Sequence, residues 1–189
     1  IRHVIVDEEE FKPEINAWSA PFIMATANTR VVRRTEALLA LRQESYGANF
    51  TYQEYAFHKS WFSAFKSLVM TGISVLVLLS PLKKLVKPFL PKPGEGPSET
   101  VQENGWFDCK FIVETEDGMK SVFNMNGKGD PGYKVTSKLV SECALCLVEN
   151  EESLPGGPGY GGVLTSASGL GHALISRLSK VGINFNGPL

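Results

Sequence analysis

From Ser67 to Leu82 the chain reads SLVMTGISVLVLLSPL, without one charged residue. Lysines bracket the run: Lys59 and Lys66 precede it, and Lys83, Lys84 and Lys87 follow it. A helix that spans a membrane needs about 20 apolar residues. This run is shorter, contains Gly72 and Ser74, and meets Pro81 near its end. Residues 57–90 are therefore expected to form an amphipathic entry helix and a short apolar hairpin that contact a lipid surface rather than span it. Trp61, Phe62 and Phe65 then lie at the interface, Val75 and Leu78 lie in the apolar part, and the lysines face headgroups. The alternative is a buried core helix or a subunit interface, where runs of this length also occur.

The rest of the composition narrows the class. With 189 residues, 43% of them hydrophobic, the chain can bury a core, and one domain over residues 1–189 is expected. A net charge of −1 offers no electrostatic reason to bind nucleic acid. Cys109, Cys143 and Cys146 are too few and too scattered for a disulfide framework, which points to a reducing, intracellular setting. The chain opens on Ile1–Val6, a strand-like apolar run, and so reads as a piece of something longer.

Local signals divide the remainder. After an acidic turn at Asp7–Glu10, Ser19 is expected to cap a long helix that has Pro21 in its first turn and ends near Leu41. Thr51–Phe57 reads as a strand. Residues 91–97, PKPGEGP, form a Pro/Gly loop, and Ser98 caps a short helix before Gly105. Trp106–Glu114 and Met119–Asn126 form a hairpin around Asp117-Gly118. Asp130-Pro131 predicts a helix start, with Val135, Leu139, Cys143 and Cys146 on one face. A second Gly/Pro loop, Leu154–Gly162, leads past an apolar Val163–Leu164 to a last helix. Thr165 or Ser166 caps that helix, Gly182 ends it, and Ile183–Phe185 follows as a strand. The resulting fold class is α+β: a mixed, mostly antiparallel sheet with helices on one face.

Few constellations carry chemistry. Gly157-Pro-Gly159-Tyr-Gly161-Gly162 is glycine-rich, but a dinucleotide loop needs a strand directly before it, and here the strand-like residues come after. Cys143-x-x-Cys146 lies mid-helix with no second pair to complete a zinc site, so inert buried thiols are expected and no metal. His3, His58 and His172 have no metal-like spacing. Asn28, Arg30, Arg33 and Arg34 form a dense polar cluster that would suit an anion or a substrate carboxylate; salt bridges with Glu36 and others would equally explain it. Gly129-Asp-Pro-Gly-Tyr133 would make either a wall of a site, with Tyr133 as donor, or a capped helix start. The substrate-binding candidates are therefore Asn28, Arg30, Arg34 and Tyr133; no catalytic residue is assigned.

Six segments together carry a resemblance. They are Ala20-Pro-Phe-Ile-Met-Ala25, Asn28-Thr-Arg-Val-Val-Arg-Arg34, Pro91-Lys-Pro-Gly-Glu-Gly-Pro97, Asn104-Gly-Trp-Phe107, Gly129-Asp-Pro-Gly-Tyr133 and Gly161-Gly-Val-Leu-Thr165. In this order they resemble the C-terminal part of saccharopine dehydrogenase-like oxidoreductases, a group similar to mycobacterial trans-acting enoyl reductases. The resemblance runs from about Ser19 to Phe185. It implies a substrate-side and dimerisation-type domain of a Rossmann-type oxidoreductase, here without its nucleotide domain. NAD or NADP would be held by that N-terminal Rossmann domain, with no cofactor-binding residue in this chain, which alone would be inactive. The apolar insertion resembles that of animal members associated with lipid droplets and membranes. The implied partners are the Rossmann domain, a lipid surface and a second copy in a homodimer. A scaffold without enzymatic activity, associated with a lipid droplet or membrane, is the other function compatible with these residues.

Overall fold

The computed structural model describes residues 17–89, 92 and 94–187. The strand expected at Ile1–Val6, the acidic turn at Asp7–Glu10, His3, and Pro91 and Pro93 of the Pro/Gly loop lie outside the described residues. The chain divides into two compact units: residues 1–33 with 49–95, and residues 34–48 with 96–189.

The first unit is built on a strand pair. β1 (Trp18–Pro21) runs antiparallel to β2 (Tyr55–His58), with Trp18 opposite His58 and Pro21 opposite Tyr55. Ser19 therefore sits buried on a strand, and the helix expected to start there begins later: α1 spans Ala25–Ala40. Pairing with β2 satisfies the β1 backbone, and no such partner is visible in a local reading. Residues of α1 up to Arg33 count with the first unit and those from Arg34 with the second.

α2 (Trp61–Leu79) is one continuous helix of 19 residues. This corrects the expectation of an entry helix followed by a separate apolar hairpin. Ser60 caps it by accepting from the Ser63 N–H, and Ser80-Pro81 ends it. Neither Gly72 nor Ser74 breaks it. The Ser74 hydroxyl donates to the Met70 carbonyl one turn back, and a mid-helix glycine costs only about 1 kcal/mol relative to alanine. The helix meets the strand pair near its first turn, where Ala64 is its one fully buried residue. α3 (Lys83–Val86) and a 3₁₀ turn at Lys87–Phe89 follow.

The second unit holds a three-stranded sheet in the order β3 (Trp106–Glu114), β4 (Lys120–Lys128), β5 (Ile183–Asn186). The hairpin turns at Asp117-Gly118, with Gly118 at φ +82°. The Thr115 hydroxyl, then the Met119 N–H, hold the Asp117 carboxyl below the usual carboxylate range. Among the described residues every strand pair is antiparallel and the strands form two separate sheets, not the expected mixed sheet. The excursion after β4 contains two helices and returns beside the point where it left, with Ile183 opposite Gly127. No crossover is made, and a parallel pair needs one.

α4 (Glu99–Asn104) is capped by the Ser98 side chain, as its sequence predicts. α5 (Lys134–Glu149) starts three residues later than a helix capped by Asp130 with Pro131 first would. Asp130 instead closes a turn: its carboxylate accepts from the Tyr133 N–H at 2.8 Å, and Tyr133 itself is not helical. α6 (Ser166–Lys180) has the capping box Thr165–Ser168, and Gly182 follows its end at φ +87°. Val135 and Cys146 of α5 pack with Leu170, Leu174 and Leu178 of α6 over Phe107, Met125, Ile183 and Phe185. By register those sheet residues share one face, so both helices cover the same side. Each buried leucine contributes about 1.5–3 kcal/mol.

Candidate functional site

In the second unit, the segment 34–42 is tied to the stretch that follows the glycine loop. Thr35 is buried, and its hydroxyl lies 2.7 Å from that of Thr165. The Thr165 hydroxyl in turn lies 3.0 Å from that of the fully buried Ser168. Arg34 Nη2 donates to the Val163 carbonyl at 3.3 Å. Arg42 Nη1 donates to the Ser168 carbonyl at 3.1 Å, and its guanidinium lies 5.0 Å from the centre of the Tyr160 ring. Glu44 takes the other end of Arg42 at 2.7 Å. This chain of contacts positions Tyr160–Ser168. Local reading finds Thr165 through its cap; Thr35, Arg42 and Tyr160 carry no pattern that links them.

The glycine loop itself does not have the form that cradles a pyrophosphate. It follows a 3₁₀ turn at Glu151–Ser153 rather than a strand, and Val163–Leu164 is irregular, with Val163 exposed. α6 is interrupted at Gly171 (φ 48°, ψ −136°), where a Cβ would come 2.6 Å from Pro155.

The four substrate-binding candidates are placed as follows. In the first unit, Asn28 Nδ2 donates to Glu54 at 2.9 Å, and Glu54 also accepts from the Tyr52 hydroxyl at 2.8 Å. Arg30 is exposed on α1. In the second unit, Arg34 holds the Val163 carbonyl, and Tyr133 is exposed with its ring against Gly96. Glu36 is not used by the arginine cluster; it accepts from the Ser45 hydroxyl and the Tyr46 N–H.

Other reactive groups are accounted for locally. Burial pushes the Cys143 thiol up, against a hydrogen bond from Ser166, and burial pushes Cys146 up against the charge of Arg177. Thiols held in the protonated form are poor nucleophiles. Arg177 is gripped by Glu142 and Glu149, each at 2.7 Å. His58 Nδ1 lies 3.2 Å from the Ser63 hydroxyl, and its buried Nε2 meets no hydrogen-bond partner among the described residues, so none of their carboxylates completes a triad. Among the described residues no group of His, Cys, Asp and Glu could hold a metal ion.

Comparison with known proteins supplies what these contacts do not. The chain is similar to mycobacterial enoyl reductases. A Mycobacterium tuberculosis (strain H37Rv) protein named provisionally as trans-acting enoyl reductase Rv2449c is 37% identical over 182 residues, 91% of the chain. The Trans-acting enoyl reductase of Mycobacterium bovis (strain BCG / Pasteur 1173P2) is 31% identical and that of Mycobacterium leprae (strain TN) 30%, each over 92% of the chain. The chain spans 42% of the length of each of these relatives. No family model matches the chain, and no solved structure matches it.

Proposed function

We propose that this chain is the substrate-side part of an NAD(P)-linked oxidoreductase that reduces an enoyl group, within the wider saccharopine dehydrogenase-like group that its motifs resemble. The 37% identity to a mycobacterial relative, sustained over 91% of the chain, carries the reading. A reduced nicotinamide would supply the hydride. The described residues do not fit its pyrophosphate, so the cofactor belongs to a Rossmann part of the protein beyond this sequence. Within this proposal Arg30 and Tyr133 are separate candidates for meeting substrate, since both are exposed. Asn28 and Arg34 act by holding Glu54 and Val163. The test is oxidation of NADH and NADPH by the full-length protein with enoyl thioesters of graded chain length, beside the Mycobacterium tuberculosis relative. Turnover that depends on the enoyl thioester is expected. Turnover by the relative and none by this protein would overturn the reading.

A second function is favoured by α2. The helix is long and apolar enough to cross a membrane, at about 28 Å for its 19 residues, yet almost none of it is buried. A core helix of this composition would be covered. Trp61 and Phe65 stack at 5.2 Å at its start, and Ile73, Leu76 and Leu79 stand exposed along it. Attachment to a membrane or lipid-droplet surface through this helix, flanked by Lys59, Lys83, Lys84 and Lys87, is compatible with a reductase or with a scaffold lacking activity.

A further inference from the structure

A cavity of about 500 Å³ in the second unit lies where two of the resembling segments meet. Asn104-Gly-Trp106 forms one wall and Asp130-Pro131 another, with Val101 of α4 beside them. Two backbone bonds fix these walls. The Gly129 N–H donates to the Gly105 carbonyl at 2.7 Å, and the Asp130 N–H donates to that of Gln102 at 2.8 Å. This stitching accounts for the glycines but leaves two side chains unused. The half-buried Asp130 carboxylate gives Oδ2 to the Tyr133 N–H, and among the described residues its Oδ1 accepts no hydrogen bond. Trp106 is 71% exposed, and among the described residues no ring stacks on its indole and no cation lies over it.

Of the cations nearby, Lys134 is paired with Glu103. Lys128 stands directly opposite Trp106 across the strand pair, on the sheet face turned away from α5 and α6. It makes no ion pair among the described residues. Side chains so opposed have Cβ atoms about 4.5–5.5 Å apart. A carboxylate oxygen, an open indole face and a cation at the rim thus border one cavity.

We propose that this cavity binds phosphocholine. The trimethylammonium group lies on the Trp106 ring beside Asp130 Oδ1, and the phosphate reaches Lys128. A carboxylate attracts any ammonium, but an aromatic face with Val101 and Pro131 as neighbours favours the large, methylated one. Lys128 would repel a simple cation here. A ligand that carries its own anion a short linker away turns that repulsion into attraction. The site does not depend on the reductase reading. Free phosphocholine and the headgroup of phosphatidylcholine share this chemistry.

Isothermal titration of the full-length protein with phosphocholine, choline and inorganic phosphate tests the site. Phosphocholine should bind tightest and phosphate weakest. Asp130→Asn, which keeps an acceptor for the Tyr133 N–H, and Trp106→Leu should each weaken choline and phosphocholine about fivefold or more. Lys128→Gln should weaken phosphocholine and strengthen choline, a crossing that misfolding does not produce. Circular dichroism of each variant verifies the fold. Competition by phosphatidylcholine vesicles separates the two sources: displacement of phosphocholine identifies the lipid headgroup, and its absence the free ester. No binding of phosphocholine overturns the proposal. So does binding indifferent to Asp130→Asn and Trp106→Leu, inorganic phosphate binding as tightly as phosphocholine, or Lys128→Gln changing both ligands alike.

Discussion

At the scale of single residues, three glycines show how environment sets the sign of adding a side chain. Gly118 occupies φ +82° in the hairpin turn, so Gly118→Val should destabilise by about 1 kcal/mol or more, because a β-branched residue resists that region. Gly105 has ordinary dihedrals, yet a Cβ there would come 2.5 Å from the Asp130 nitrogen. It lies where α4 is stitched to the turn before α5, by bonds from Gly129 N–H to Gly105 and from Asp130 N–H to Gln102. Gly105→Ala should therefore cost about 1–3 kcal/mol through overpacking. Gly72 is mid-helix with nothing near its missing Cβ, and Gly72→Ala should stabilise by about 0.5–1 kcal/mol. Thermal unfolding of the three variants checks the order; a Gly72→Ala less stable than Gly105→Ala would refute it. The first effect is legible from Asp117-Gly118 alone. The second is not, because Asp130 lies 25 residues away.

At the scale of elements, α2 is where reading by rule misjudged the continuity of a helix. The short run, Gly72, Ser74 and Pro81 together point to an interfacial hairpin, but backbone bonding continues through Gly72 and Ser74 and stops only at Ser80-Pro81. Helix formation is cooperative, so one glycine lowers stability without ending an element. The functional consequence is a single exposed apolar cylinder. Val75→Asp with Leu78→Asp should abolish flotation of the full-length protein with liposomes or droplets, since each buried aliphatic side chain is worth about 1.5–3 kcal/mol. The melting temperature should hold. Lost stability together with lost flotation would mean the helix is covered by protein. Absence of flotation in the unmutated protein would remove the lipid reading.

At the scale of the whole molecule, the proposed reductase reading turns on where a nicotinamide cofactor would bind. Calorimetric titration of this chain with NADPH or NADH should show no binding in the micromolar range, since no described strand leads into the Gly157–Gly162 loop. Micromolar binding lost on Gly159→Ala with Gly161→Ala would make that loop the cradle after all. Activity tests of the reductase reading therefore belong to the full-length protein.

What the sequence alone determined about this protein is what neighbours in the chain decide. The Asp-Gly turn, the caps at Ser98 and Thr165, the stop at Gly182 and the buried face of Val135, Leu139, Cys143 and Cys146 all follow from the sign of φ or from three- and four-residue spacing. The motifs also pointed to the kind of relative later found by comparison. Tertiary structure decided the rest. Trp18–Pro21 became a strand because Tyr55–His58 pairs with it, and Asp130 closes a turn onto the Tyr133 N–H, with Tyr133 outside helical angles and the helix beginning only at Lys134. Thr35 met Thr165, and Arg42 met Tyr160 and Ser168, across separations of well over a hundred residues. Such contacts depend on where distant backbone segments are brought in space, and single side chains of no periodic pattern can then bond across the gap.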